Sequence, residues 1–169
     1  MPLADISLRI AGPDDIPALR ELAARIWRQH YPGIITHAQI DYMLERMYAA
    51  PVMLDEMQNR DYRYIIVSSQ TKPLGFMAYV LEQAEQAVKL SKLYLLPSLH
   101  GAGIGRRMLQ YVKEDALRMR ARSVYLFVNI RNRKAIAAYE RFGFRTEADV
   151  VTDIGGGFVM DDHCMRLVI

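Results

Sequence analysis

The sequence predicts a mixed α/β fold: a central sheet of about seven strands flanked by four or five helices, in one domain spanning residues 1–169. Three observations lead there. Apolar residues recur at helical spacing as far as Asn59, the period shortens to that of strands from Tyr62 to Leu96, and a glycine-bearing turn then separates a strand from a helix.

Ser7 to Ile10 reads as a short first strand. Pro13-Asp14-Asp15 opens a helix with carboxylates at its positive end, and the pattern carries it to about Trp27. Tyr31-Pro32-Gly33 breaks it. Thr36, with Gln39 three residues on, has the form of a capping box for a second helix through Met47, in which Ile40, Met43, Leu44 and Met47 make one apolar stripe. Pro51 to Asn59 suits a third short helix, because proline is accommodated in a first turn. Tyr62 to Ser69 and Leu74 to Leu81, joined across Gln70-Thr71-Lys72-Pro73, read as an antiparallel pair, with Ala87 to Leu96 as the next strand. The helix after the glycines reaches about Ala121 and repeats Ile104, Met108, Val112 and Ala116 every four residues. Ser123 to Val128 is rich in β formers, Ala135 to Phe142 is a short helix stopped by Gly143, and Phe144 to Val151 is a strand. Gly155-Gly156-Gly157 turns the chain into the last strand, Phe158 to Ile169.

Composition narrows the function. With 51% apolar residues in 169, the chain can bury a sizeable core. No stretch approaches the roughly 18 to 20 apolar positions of a membrane span. Met1 to Ile10 carries Asp5 and Arg9 without an apolar run, so no signal peptide is read there and a cytoplasmic protein is expected. The single cysteine, Cys164, excludes an internal disulfide, cannot by itself build a metal site, and lies in an alternating stretch that makes it a half-buried strand residue. From His100 to Arg145 there are eleven Lys and Arg against three Asp and Glu. That excess would suit nucleic acid or a phosphorylated cofactor, but the span has neither interleaved aromatics nor a reading motif for nucleic acid, so none is expected as a partner. The methionine-rich helices between Ile40 and Met57 could support a homodimer, although such stripes more often belong to a core.

Two segments carry chemistry. The first is Lys92-Leu93-Tyr94-Leu95-Leu96-Pro97-Ser98-Leu99-His100-Gly101-Ala102-Gly103-Ile104-Gly105-Arg106, a strand, a turn and a helix start. Glycines at 101, 103 and 105 allow close approach of a ligand to the backbone, and the first N–H groups of the helix have no intrahelical acceptor. A pyrophosphate suits such donors, and Arg106 and Arg107 add charge. The spacing is neither that of a dinucleotide fingerprint nor that of a P-loop. The second segment runs from Asn132 through Ala135, Tyr139 and Gly143 to Phe144, directly after the strand Tyr125 to Val128.

Together the two segments resemble the GNAT superfamily of N-acetyltransferases. Its pattern is Arg or Gln-x-x-Gly-x-Gly or Ala, followed further along by Asn-x-x-Ala-x-x-x-Tyr-x-x-x-Gly-Phe. The second pattern is matched at every fixed position. The first is matched at Gly103 and Gly105, with His100 where Arg or Gln is usual, an imidazole that can still offer one N–H. The resemblance implies acetyl-CoA as acetyl donor and an amine-bearing acceptor. It implies that backbone groups of Leu93, Tyr94 and Leu95 pair with the pantetheine arm and acetyl group, that His100, Gly101, Ala102, Gly103, Ile104, Gly105 and Arg106 hold the pyrophosphate, that Asn132 binds the cofactor from the other side, and that Tyr139 is the general acid at the thioester sulfur. A non-catalytic acyl-CoA sensor is the alternative.

An attacking amine must lose a proton, and no clear base stands out. The strand before the glycine turn often carries a glutamate in this superfamily, whereas here it reads Lys89, Leu90, Ser91 and Lys92. Direct attack with a water relay is therefore the expected route, with Glu82, His30 and Tyr31 as weaker candidates. The ending Gly157 to Met165 loosely resembles that of bacterial polyamine acetyltransferases. Its Asp161 and Asp162 could attract a cationic amine, or be solvated turn carboxylates.

Overall fold

A computed structural model describes residues 5–169; residues 1–4, part of the segment weighed as a leader, lie outside the described residues. Seven strands form one sheet in the order β1-β2-β3-β4-β5-β7-β6. β1 (Ile6–Ile10), β2 (Arg63–Ser69), β3 (Lys72–Glu82) and β4 (Ala87–Leu95) are antiparallel neighbours. β5 (Ser123–Asn129) joins β4 in parallel, and β7 (Phe158–Val168) and β6 (Arg145–Gly155) complete the sheet as a long antiparallel hairpin. The helices among the described residues are α1 (Ile16–His30), α2 (His37–Met47), α3 (Ala50–Asn59), α4 (Ile104–Arg118) and α5 (Arg133–Phe142). No helix there is long and apolar enough to cross a membrane.

Strand alternation sends neighbouring residues to opposite faces of the sheet. Arg63 and Tyr79 both reach Asp115 on α4, at 2.7 and 2.8 Å. Tyr64 bonds to Glu56 on α3, and Phe76 packs on Tyr48 and Tyr94 on that same side. Helix α4 therefore covers one face, and α1 and α3 cover the other. Trp27, Tyr48, Tyr64, Phe76 and Tyr79 are fully buried at this junction. Large rings such as these supply much of the apolar burial that holds such layers together. The methionine stripe weighed for a homodimer faces inward: Met43 and Met53 are buried, and Met47 and Met57 pack against the core.

Several ends differ from the sequence reading. Pro13–Asp15 is a separate 3-10 turn, in which Asp15 accepts from the Gly12 N–H at 2.9 Å and pairs with Arg9. The Thr36 hydroxyl does cap α2, accepting from the Gln39 N–H at 3.2 Å, but the capping box is only half made. The Gln39 side chain crosses instead to the last hairpin and donates to the Val159 carbonyl at 2.7 Å. Strand β6 begins at Arg145 and continues four residues past the expected Val151, to Gly155.

Two features of the sheet position the site. Strands β4 and β5 are paired only at Ala87–Ser123, Val88–Val124 and Lys89–Tyr125, and then part. Strand β5 stays with β7, so the edge of β4 from Leu90 to Leu95 has no strand partner on that side. Pairing stops where β4 carries an extra residue: Lys92 faces Ala78 and Leu90 faces Tyr79, leaving Ser91 as a bulge. A bulge bends its strand and steepens the local twist, which opens the wedge.

Candidate functional site

The wedge opens into a cavity of about 1130 Å³ between β4 and β5, closed by the end of α1, by α2, by the glycine turn and by α5. Of the residues singled out from sequence, Leu93, Tyr94, Leu95, His100, Gly101, Gly103, Gly105, Arg106, Asn132 and Tyr139 line it. Ala102 and Ile104 do not. The Ile104 side chain is buried in the core, so this residue can offer a ligand its main chain alone.

The glycine turn is built as an anion cradle. Gly101 and Gly103 have φ of +84° and +81°, left-handed values that favour glycine, whereas Gly105 is already helical. An added Cβ at Gly101 or Gly105 would meet nothing within 4 Å, so open space lies against both. The amides of Ile104, Gly105 and Arg106 have no helical acceptor, and the ladder of α4 starts with Arg107 N–H donating to Gly103 O at 3.1 Å. Free amides, the positive end of α4 and the exposed Arg106 fit the pyrophosphate of a CoA donor. His100, which lines the cavity, also fixes the turn. Its Nε2 lies 3.2 Å from the Leu95 carbonyl, which can only accept, so that N–H ties the turn back to the end of β4.

On the opposite wall, Asn132 is buried and its Oδ1 accepts from the Ala135 N–H at 3.4 Å, capping α5. His30 Nε2 lies 3.2 Å from the same oxygen. Because that oxygen is fixed as an acceptor, Nε2 carries the hydrogen and the Asn132 amide NH2 is left to donate. Burial lowers the His30 pKa, which keeps the ring neutral at pH 7, and the His30 and His100 rings stand 5.7 Å apart. Tyr139 packs its ring on Phe144 at 5.7 Å, and its hydroxyl makes no hydrogen bond to any described residue. Burial pushes its pKa up to about 12, so it is a protonated phenol throughout the physiological range.

The carboxylates sort clearly. Glu82 accepts from the Tyr125 hydroxyl at 2.5 Å and does not line the cavity. Asp162 does line it. It lies within β7, opposite Asn129 of β5 and Val150 of β6, and is 6% exposed, rather than being a solvated turn residue. Burial pushes its pKa up to about 6, with Asp161 adding and His163 opposing. The alternation that places Cys164 in a strand was the signal that could have placed Asp162 as well. Lys92 was passed over as merely not a glutamate. Its ammonium is buried beneath β4, 2.7 Å from Glu56 Oε2 and over the rings of Tyr48, Tyr62 and Tyr64.

The far wall is a clamp between α2 and the last hairpin. Tyr42 donates to the Ile154 carbonyl at 2.7 Å and packs on Phe158, with Gln39 bonded to Val159 beside it. Gly155 and Gly156, at φ of +82° and +63°, make room for that ring: a Cβ would come within 2.8 Å of the Tyr42 hydroxyl or 2.7 Å of its ring.

Comparison with known proteins agrees with this geometry. The profile of the Acetyltransferase (GNAT) family matches residues 17–144. A spermidine N(1)-acetyltransferase of Thermoplasma acidophilum is 24% identical over 160 residues, covering 92% of this chain and 96% of the relative. An uncharacterised N-acetyltransferase of Mycobacterium bovis is 37% identical over 68 residues, covering 40% of this chain and 44% of the relative. The fold is shared with the PaiA N-acetyltransferase of Thermoplasma acidophilum, solved with coenzyme A, at a TM-score of 0.82 and 21% identity over 97% of this chain and 99% of that one. It is also shared with the spermidine N-acetyltransferase of Vibrio cholerae, solved with CoA and spermine, at a TM-score of 0.69 and 18% identity over 98% and 96% of the two chains. The chain belongs to the GNAT family of acetyltransferases, and is an acyltransferase whose acetyl donor is acetyl-CoA.

Proposed function

We propose that the chain, as one domain, moves the acetyl group of acetyl-CoA to a primary amine, a small molecule such as a polyamine or a peptide amine, by direct attack with Tyr139 as general acid. The observation that carries this reading is the unpaired edge of β4, which runs along a cavity also lined by a phenol that makes no hydrogen bond to any described residue. Acetyl-CoA supplies the activated thioester. Main-chain groups of Leu93, Tyr94 and Leu95 pair with the pantetheine arm as one strand pairs with another. The turn from Gly101 to Arg106 holds the pyrophosphate, and Asn132 donates its free NH2 from the other side. As the amine lone pair makes the C–N bond and the C–S electrons go to sulfur, Tyr139 gives sulfur its proton. The relatives that act on spermidine favour an aliphatic polyamine among the amines.

The test is release of free thiol from acetyl-CoA against polyamines, aminoglycosides, amino acids and short peptides, beside calorimetry of acetyl-CoA alone. Donor binding with release that depends on an amine is the expected result. Donor binding without release from any amine overturns the proposal.

A further inference from the structure

Asp162 is the one carboxylate among the described residues that is buried, lines the cavity and has no hydrogen-bond donor. Other buried acids are matched: Glu56 by Lys92 and Tyr64, and Asp115 by Arg63 and Tyr79. A carboxylate that opens into the cavity without a protein donor is free to take a cation with N–H groups, and charge-assisted bonds of that kind are strong in such a half-dry setting. Accepting the acetyl transfer to an amine argued above, we propose that Asp162 is the carboxylate on which a protonated alkylamine docks, and to which its reacting ammonium yields the proton that must leave before nitrogen can attack.

The surroundings fit a proton acceptor set across from a proton donor. On β7 itself, Asp161 raises the affinity of Asp162 for a proton and His163 lowers it, while His163 is held 2.5 Å from Asp149 of β6. Val128 and Asn129, opposite on β5, bring no charge. Just past the end of α1, the phenol of Tyr31, which also lines the cavity, is held in its neutral form chiefly by burial and then by Tyr94, Tyr139 and Asp162. His30 and His100 also line the cavity, with their Nε2 atoms engaged by Asn132 Oδ1 and the Leu95 carbonyl, and burial lowers the proton affinity of His30.

Protons and electrons balance. The N–H electron pair stays on nitrogen as its proton moves to a carboxylate oxygen. That nitrogen makes the amide bond, and Tyr139 protonates the departing sulfur. The second nitrogen proton, lost as the amide forms, restores Tyr139. Asp162 then returns its own to solvent, one proton released per turnover. Such proton transfer contributes on the order of 10²- to 10⁴-fold to a rate.

The experiment compares the wild type with Asp162→Asn on spermidine, measuring kcat/KM from pH 5 to 9 and the affinity for acetyl-CoA by calorimetry. The wild-type profile should rise through an acid limb near pH 6. In the variant kcat/KM should fall about a hundredfold and that limb should vanish, with donor affinity unchanged. Asp162→Glu should restore part of the rate and the limb. An Asn variant with wild-type kcat/KM, or one whose residual activity keeps the same limb, overturns the assignment while the transferase stands. A wild type without an acid limb near pH 6 overturns it without any variant, so the question does not depend on the variant folding. A wild type that releases no thiol with any amine overturns instead the acetyl transfer on which the assignment rests.

Discussion

Lys92 Nζ lies 2.7 Å from Glu56 Oε2, with the lysine side chain 1% and the glutamate 10% exposed. This ion pair joins β4 to α3 directly beneath the strand whose other edge faces the cavity. Removing one partner leaves the other charged and dry. Lys92→Met or Glu56→Gln should each cost about 3–5 kcal/mol in denaturant unfolding, while the double replacement by apolar residues of similar volume should recover much of it.

Tyr139→Phe keeps the ring that packs on Phe144 and removes only the hydroxyl. Turnover should fall by roughly 10²-fold or more, with the affinity for acetyl-CoA and the melting temperature close to wild type. Steady-state kinetics beside calorimetry separates these effects. Equal turnover in the variant would remove Tyr139 from the reaction.

Gly105 is helical, and a side chain there meets no protein atom within 4 Å. Gly105→Ala should therefore stabilise the fold by about 0.5–1 kcal/mol, as alanine does in helices, and leave acetyl-CoA binding close to wild type, since the family pattern admits alanine at this position. A higher melting temperature with an unchanged Kd is the expected result, and thermal unfolding with calorimetry reads both.

Asp162 also predicts a pH dependence of stability. Its pKa in the folded chain, about 6, stands above the ordinary 3.8, so the folded state holds this proton more tightly than the unfolded one. The contribution is fully present below about pH 4 and is lost as pH rises through 6. Asp15 acts oppositely: held low mainly by its hydrogen bond from Arg9, it loses stabilising charge as pH falls. The quantity to measure is thus the difference between Asp162→Asn and wild type. The variant should gain relative stability between pH 4 and 6 and keep that gain at pH 8.

Local signals carried much of this from the sequence. The Thr36 cap, the proline at the start of α3, the glycine turn into α4 and the stop at Gly143 all lie within a few residues of what they determine. What sequence could not supply depends on distant partners. Gln39 satisfies Thr36 locally, yet its side chain is claimed by Val159 from the far end of the chain. The charge of Lys92 reads as surface until Glu56 is placed beneath it. The parting of β4 from β5 follows from a single extra residue at Ser91, which no periodicity marks. The two readings of Asp162, amine-attracting or solvated, stayed open in the sequence because it sits beside Asp161 in a run that looks like a polar turn, and only pairing with β5 and β6 buries it.

The unpaired edge of β4 offers main chain to a ligand, whereas Asp162 and Gln39 on the other side present side chains. Main-chain groups are the same whatever residue carries them. On the proposed reading, mutation can drift freely along Leu93 to Leu95 without erasing donor recognition, and a single codon change in α2 or the last hairpin is enough to redirect acceptor choice. Lineages descended from such a chain should thus keep one donor and diversify in acceptors.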